Sequence, residues 1–234
     1  MTPMITLTLQ HTVAAHAADS PRTLEVAGMF GLEPAGELDI TIVPPTTLTL
    51  APGRIVFITG ASGGGKSTLL RLIRKSIAGH TDDATRPAVI TLDAIVPPGG
   101  LALVDGFDDA ASQPATAEVM RWLGLAGLSE ARVMLRRPAE LSEGQRARLQ
   151  LAHAVAAAER AGAPWSLVLA DELGATLDRP TARAVAGGLR KWAARAGVCI
   201  VAATTHDDLL EPLCPDTLVV ASAGEAVQVL ERDR

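Results

Sequence analysis

Tyrosine is absent from the 234 residues, and phenylalanine and tryptophan occur only three times each. A site that holds an aromatic ring by stacking has few side chains to draw on. The two cysteines, Cys199 and Cys214, lie in unrelated contexts without metal-ligand spacing, which excludes a disulfide framework and leaves buried or incidental thiols. No apolar run approaches membrane-spanning length, and the first residues carry no cationic segment ahead of an apolar one, so a soluble cytosolic protein is expected. A basic excess is missing too. The net charge of -5 disfavours a dominant nucleic-acid face, although local basic patches survive such a balance. Lysine is confined to Lys66, Lys75 and Lys191, so a lysine at a motif position carries weight.

Apolar residues make up 48% of the chain, enough for one sizeable core. The stretches "MITLTLQ", "LDITIV" and "TTLTLAPG" alternate apolar and polar residues, as half-buried strands do, and predict a small antiparallel β layer. From Arg54 the texture changes. "RIVFITG" is a short apolar run ending in glycine, and "STLLRLIRKSIAG" follows with helical periodicity and a glycine stop. Apolar runs recur at "WSLVLADE" and "GVCIVAATTH", separated by helical segments such as "PTARAVAGGLRKWAARAG", a pattern that predicts a parallel sheet with its chemistry at the carboxyl ends. Pro114 to Ala161 is helical in pattern throughout, with breaks near Gly127 and Pro138.

Between the first apolar run and its helix, residues 60 to 68 read "GASGGGKST" and satisfy G-x-x-x-x-G-K-[ST] at Gly60, Gly65, Lys66 and Ser67. The small residues Ala61, Ser62, Gly63 and Gly64 let the backbone curl so that its N–H groups point at phosphate oxygens, helped by the positive end of the following helix and by Thr68 in its first turn. Lys66 suits the β and γ phosphates, and the Ser67 hydroxyl suits Mg²⁺. "SLVLADE" places Asp171 and Glu172 just past an apolar strand, where one carboxylate can hold the metal shell and the next can deprotonate a water. An isolated acidic pair there is more often a solvated turn; the phosphate loop reverses those odds.

"LSEGQ", residues 141 to 145, opens a long helix. Ser142 can cap it while the adjacent N–H groups and Gly144 leave an open, positive helix end. Taken in chain order, these motifs resemble the ATP-binding cassette (ABC) ATPase family, whose signature is usually written L-S-G-G-Q. The resemblance covers roughly Thr46 to Leu210. It implies a P-loop NTPase fold with a RecA-like, ABC-type α/β core at 1–106 and 162–234 and a short helical subdomain at 107–161, all in one domain. It also implies that Ser142, Gly144 and Gln145 contact ATP held by the phosphate loop of a second subunit, so that two copies sandwich two nucleotides. "DELGATLD" matches the length between the acidic strand end and the D-loop, which puts Asp178 at the same interface. His206 in "AATTHDD" falls where the family keeps a histidine that senses the γ-phosphate. Glu143 replaces the first glycine of the family's signature and is expected to face away from ATP.

Two positions match less closely. Gln113 in "AASQPATAEV" is the candidate for the family's Q-loop glutamine in the Mg²⁺ shell. Phe30 in "AGMFGLEP" either replaces the adenine-stacking tyrosine the chain lacks or is an ordinary aromatic. With ATP and Mg²⁺ as the implied ligands, Glu172, His206 and Lys66 would carry hydrolysis. The stretch from Gln113 to Leu141 is shorter than the helical subdomain of typical transporter cassettes, and that from Gln145 to Asp171 is longer. These lengths favour a soluble client in nucleic-acid maintenance, translation, defence or stress; the alternative is the energy-coupling subunit of a membrane transporter, the family's commonest role.

Overall fold

The computed structural model describes residues 3–15, 20–31, 38–109, 113–222 and 226–232. Strand β1 (Ile5–Ala15) pairs antiparallel with β2 (Leu38–Leu50), and helix α1 (Pro21–Met29) lies between them in sequence. Alternation sends Ile5, Leu7, Leu9, Leu48 and Leu50 inward. The segments "LDITIV" and "TTLTL", separate strands on sequence grounds, form a single strand that runs through Pro44 and Pro45. Leu9 faces Thr46 while His11 faces Val43, so β2 uses one more residue than β1 there. At such a bulge a proline need not donate to the ladder. The Thr46 hydroxyl closes the irregular segment by donating to the Pro44 carbonyl oxygen at 2.8 Å.

The remaining elements are β3 (Ile55–Thr59), α2 (Lys66–Ala78), β4 (Ala88–Thr91), α3 (Thr116–Leu125), α4 (Ala131–Met134), α5 (Glu143–Arg160), β5 (Ser166–Ala170), α6 (Arg179–Ala196), β6 (Val198–Ala203), α7 (Leu210–Leu213), β7 (Thr217–Val220) and β8 (Gln228–Glu231). Six strands make one sheet in the order β4-β5-β6-β3-β7-β8. The first five are mutually parallel, and β8 closes the edge antiparallel to β7.

Both faces of the sheet are covered, which is why its strands read as nearly continuous apolar runs. Ile55, Phe57, Val168, Ala170, Ile200 and Ala202 point toward α3, α5 and α6. Val56, Ile58, Leu167, Leu169, Cys199 and Val201 alternate to the other face, against α2 and the β1–β2 layer. The segment 107–161 does not stand apart from this core: Val119, Trp122, Leu123 and Leu149 share one buried cluster with the sheet. Burial pushes the Cys199 thiol up to about 12, so it packs as a small apolar group.

Three helices meet at one carboxylate. Glu159 accepts hydrogen bonds from the Trp122 indole (2.7 Å), the Trp192 indole (2.8 Å) and both terminal nitrogens of Arg121 (2.8 and 2.5 Å). Burial there works against the charge, but the Arg121, Trp122 and Trp192 donors outweigh it and hold the carboxyl down at about 2. The junction joins α3 and α6 to the last turn of α5 and so fixes where α5 begins, four turns away.

Candidate nucleotide site

The strand order builds the site. Strand β6 lies between β3 and β5, so the loops following β3, β5 and β6 emerge side by side at the carboxyl end of the sheet. They enclose a cleft of about 340 Å³ lined by Ser62, Gly63, Gly65, Lys66, Ser67, Thr68, Asp171, Glu172, Thr204 and Thr205, with Ile42 of β2 and Ala175 at its margins. Sequence-distant motifs therefore share one cavity.

Steric crowding dictates two of the phosphate loop's glycines. A Cβ on Gly60 would sit 2.0 Å from the Ala221 carbonyl oxygen, and one on Gly64 would sit 2.4 Å from the same atom. Ala221 is itself pinned by its N–H, which donates to the Thr59 carbonyl at 2.8 Å. Gly65 ends the loop at φ +88° as the N-cap of α2, and with no side chain there the helix's first N–H groups stay open toward the cleft. The Lys66 ammonium donates to the Gly60 and Ala61 carbonyls at 2.7 and 2.8 Å. Its positive charge thus lies across the loop mouth.

On the facing wall, Asp171 follows the fully buried β5, and its carboxylate accepts the Glu172 N–H at 3.1 Å. Glu172 adopts φ +48°, a left-handed conformation that a residue with a Cβ adopts at a cost. The Leu173 N–H holds this turn to β6 through the Ala203 carbonyl at 3.2 Å. Beyond β6, Thr204 is buried, its N–H bonds the Ile58 carbonyl, and its hydroxyl accepts the His206 N–H at 3.2 Å. His206, half-buried, follows the cleft-lining Thr204 and Thr205.

A third carboxylate went unread in the sequence. Asp93, just after β4, lines a neighbouring cavity of about 390 Å³ together with Ser67 and Asp171. Partial burial and the nearby charges of Asp171 and Glu172 hold its carboxyl above the usual range. Gln113 is not brought to this place. It is exposed, three residues ahead of α3 and outside the lining of either cavity, because the chain leaves β4 through Asp93 some twenty residues earlier. Phe30 is likewise absent from the cleft lining: it caps α1 at 76% exposure, and no residue of that helix is buried.

The "LSEGQ" turn is a complete capping box. The Ser142 hydroxyl accepts the Gln145 N–H at 3.2 Å, and the Gln145 side chain accepts the Ser142 N–H at 3.1 Å. Gly144 is favoured by close approach, since a Cβ there would meet the Thr176 carbonyl oxygen at 3.0 Å. The turn thereby packs on the segment after Glu172, while Ser142, Gly144 and Gln145 are absent from the lining of this chain's own cleft. Glu143 is exposed in the first turn of α5. Asp178 caps α6, accepting the Thr181 N–H at 3.0 Å.

A glycine-curled loop at a helix N-terminus, faced by a strand-end acidic pair across a parallel sheet, defines a P-loop nucleotide-binding protein. A family model described as ABC transporter matches residues 43–172, and the chain belongs to that family of ATP-binding cassette ATPases. The methionine import ATP-binding protein MetN of Corynebacterium diphtheriae is 30% identical over 88% of this chain and 65% of its own length. The lipoprotein-releasing system ATP-binding protein LolD of Anaeromyxobacter dehalogenans is 31% identical over 88% of this chain and 92% of its own. The chain thus spans slightly less than two thirds of the methionine importer's length and nearly all of the lipoprotein-system protein's. The dimeric structure of a bacterial ABC transporter cassette superposes with a TM-score of 0.64 at 21% identity, covering 86% of this chain and 96% of that one. The fold is shared. Among the described residues, no helix is long and apolar enough to cross a membrane.

Proposed function

We propose that this chain is the nucleotide-binding, energy-coupling subunit of a membrane transporter, working at the cytoplasmic face as a dimer that closes on two Mg-ATP molecules and reopens after hydrolysis. The observation that carries the dimer is the position of the signature turn. The positive N-terminal end of α5, capped by Ser142, stays outside the lining of this chain's own phosphate-loop cleft, and a second copy would supply a nucleotide for it. Closure then follows ATP binding, because the γ-phosphate bridges two chains only in the closed state.

Within each site the residues of the loop from Gly60 to Thr68 would wrap the phosphates, and Lys66 would move from the Gly60 and Ala61 carbonyls onto the phosphate oxygens. The metal would be held by the Ser67 hydroxyl and the Asp171 carboxylate, an all-oxygen donor set that fits Mg²⁺ shared with phosphate. It would neutralise charge on the transferring phosphoryl group. Asp93, rather than Gln113, would stand beside that metal and add negative charge to its surroundings. Glu172 would take the proton from the attacking water, and His206 would orient the γ-phosphate end of the cleft. Ser142, Gly144, Gln145 and Asp178 would meet the partner's nucleotide.

The transporter assignment is supported by the relatives, which include both an importer's and a lipoprotein-releasing system's ATP-binding proteins. It outweighs the helical-segment lengths that favoured a soluble client, since those lengths concern a surface rather than the site. Affinity purification from detergent-solubilised membranes tests it. A stoichiometric polytopic membrane protein, whose addition stimulates ATP turnover, is the expected result. A soluble partner, with no membrane protein in the eluate, would return the assignment to the non-transport branch.

A further inference from the structure

His206 sits in a turn whose next two residues are both aspartates, and each is tied to a different element. The Thr59 hydroxyl at the end of β3 donates to the Asp207 carboxylate at 2.6 Å. Arg179, the first residue of α6, grips Asp208 with two parallel hydrogen bonds of 3.0 and 2.5 Å. Arg183, one turn further on, donates to the Asp208 backbone carbonyl at 2.7 Å and to Glu211 at 2.6 Å. Arg179 also reaches back to the Gly174 carbonyl at 3.4 Å, inside the turn that follows Glu172.

We propose that Asp207 and Asp208 are positioning residues for His206, and that the Arg179–Asp208 clasp makes the His206 turn and the Asp178 end of α6 move as one piece. The inference rests on the reading that His206 faces the γ-phosphate of bound ATP. One exposed ion pair contributes little to stability. This arrangement differs because the planar guanidinium fork fixes direction as well as distance, and Arg183 adds a second element-to-turn bond on the same residue. Asp207 anchors the turn to the strand that feeds the phosphate loop; Asp208 anchors it to the helix whose cap, Asp178, is proposed to face the second subunit. A shift of α6 on dimer closure would therefore be delivered to His206 without any direct contact between the two. The clasp serves position, so its loss is expected in turnover rather than in nucleotide affinity.

The test combines a charge reversal, its swap and a double-mutant cycle. Arg179→Asp is expected to lower kcat about tenfold with KM for Mg-ATP changed by less than about twofold, and to speed amide exchange across residues 204–209. The swap Arg179→Asp with Asp208→Arg should restore both readouts to within about threefold. In a His206→Ala background the Arg179→Asp change should cost less than about twofold more, because the group being positioned is gone. Arg179→Lys, which keeps the charge but not the fork, should fall between wild type and Arg179→Asp, and guards against a folding defect. Wild-type exchange at 204–209 in Arg179→Asp, or an equal loss of kcat with and without His206, would overturn the proposal. Should the unaltered protein fail to hydrolyse ATP, the functional reading falls, while the exchange measurement still decides the clasp by itself.

Discussion

Glu159 and Glu172 are both carboxylates close to helix α5 or the strand it leads to, and the protein treats them in opposite ways. Glu159 is surrounded by donors, its four hydrogen bonds satisfying both oxygens. Glu172 is exposed at the cleft, held at φ +48°, and among the described residues its carboxylate accepts no hydrogen bond. Burial and pairing make the first a structural rivet. Backbone strain and an open carboxylate make the second available to a ligand. The junction gives up polar freedom to fix three helices; the cleft ties Lys66, Asp171 and Thr204 to nearby backbone groups and leaves the Glu172 carboxylate open.

The largest effect expected on the cleft side comes from Gly60→Ala. The added Cβ has no room beside the Ala221 carbonyl, and backbone cannot yield as a flexible side chain would. Fluorescent-nucleotide titration should show affinity reduced by at least about a hundredfold, with the thermal midpoint changing far less. Near-normal binding would mean that the loop does not require the geometry described.

At the junction the order of effects should invert. Glu159→Ala strands the two indole N–H groups and the Arg121 charge and should destabilise the fold by about 3 kcal/mol. In a chain of this size that is roughly 6–12 °C in thermal midpoint. ATP affinity measured below that midpoint should be nearly unchanged.

Acid should separate two contributions in the same half of the molecule. His153 is stacked on Phe107 with centroids 4.1 Å apart, and burial lowers its pKa to about 4. A folded-state value below the unfolded one means that the unfolded chain binds more protons. Its contribution is therefore full above the unfolded value of about 6.5 and is lost as pH falls toward 4. Glu159, held at about 2, follows the same sign, with its contribution lost between about 4.5 and 2. Thermal melts across this range should show a first decline that His153→Gln removes and a second that it does not.

The smallest effect concerns the metal. Asp93→Asn should raise the Mg²⁺ concentration needed for half-maximal turnover by about threefold, and Mn²⁺ titration followed by paramagnetic resonance should show the same shift in binding. Gln113→Ala should leave both within about twofold. The opposite ranking would restore Gln113 to the metal shell.

Much of the cleft was legible in sequence because its parts are short and stereotyped. The phosphate loop, the strand-end Asp171–Glu172 pair and the helix opened by Ser142 are each dictated by backbone chemistry within a few residues. The parallel sheet was legible from apolar runs at β3, β5 and β6, each buried on both faces. Asp93 was not, because β4 has only four residues, three of them half-buried, and no motif marks its end. Strand β2 misled in the other direction: two prolines look like a break, and only the bulge partner on β1 reveals continuity. Gln113 and Phe30 were placed by analogy with a family pattern, without a local physical signal, and neither lies in the cleft lining. The Glu159 junction and the Arg179–Asp208 clasp join residues 29 to 38 positions apart, and such pairings become visible only when the helices are packed.

The central claim is that the "LSEGQ" turn completes a nucleotide site on another copy of the chain. Light scattering after size exclusion, on Glu172→Gln with ATP and Mg²⁺ against the same protein without nucleotide, tests it most directly. The account predicts a monomer that converts to a dimer of twice the mass only when ATP is present, and that reverts to monomer when Ser142→Arg is added. A monomer under both conditions, with ATP bound, would contradict it.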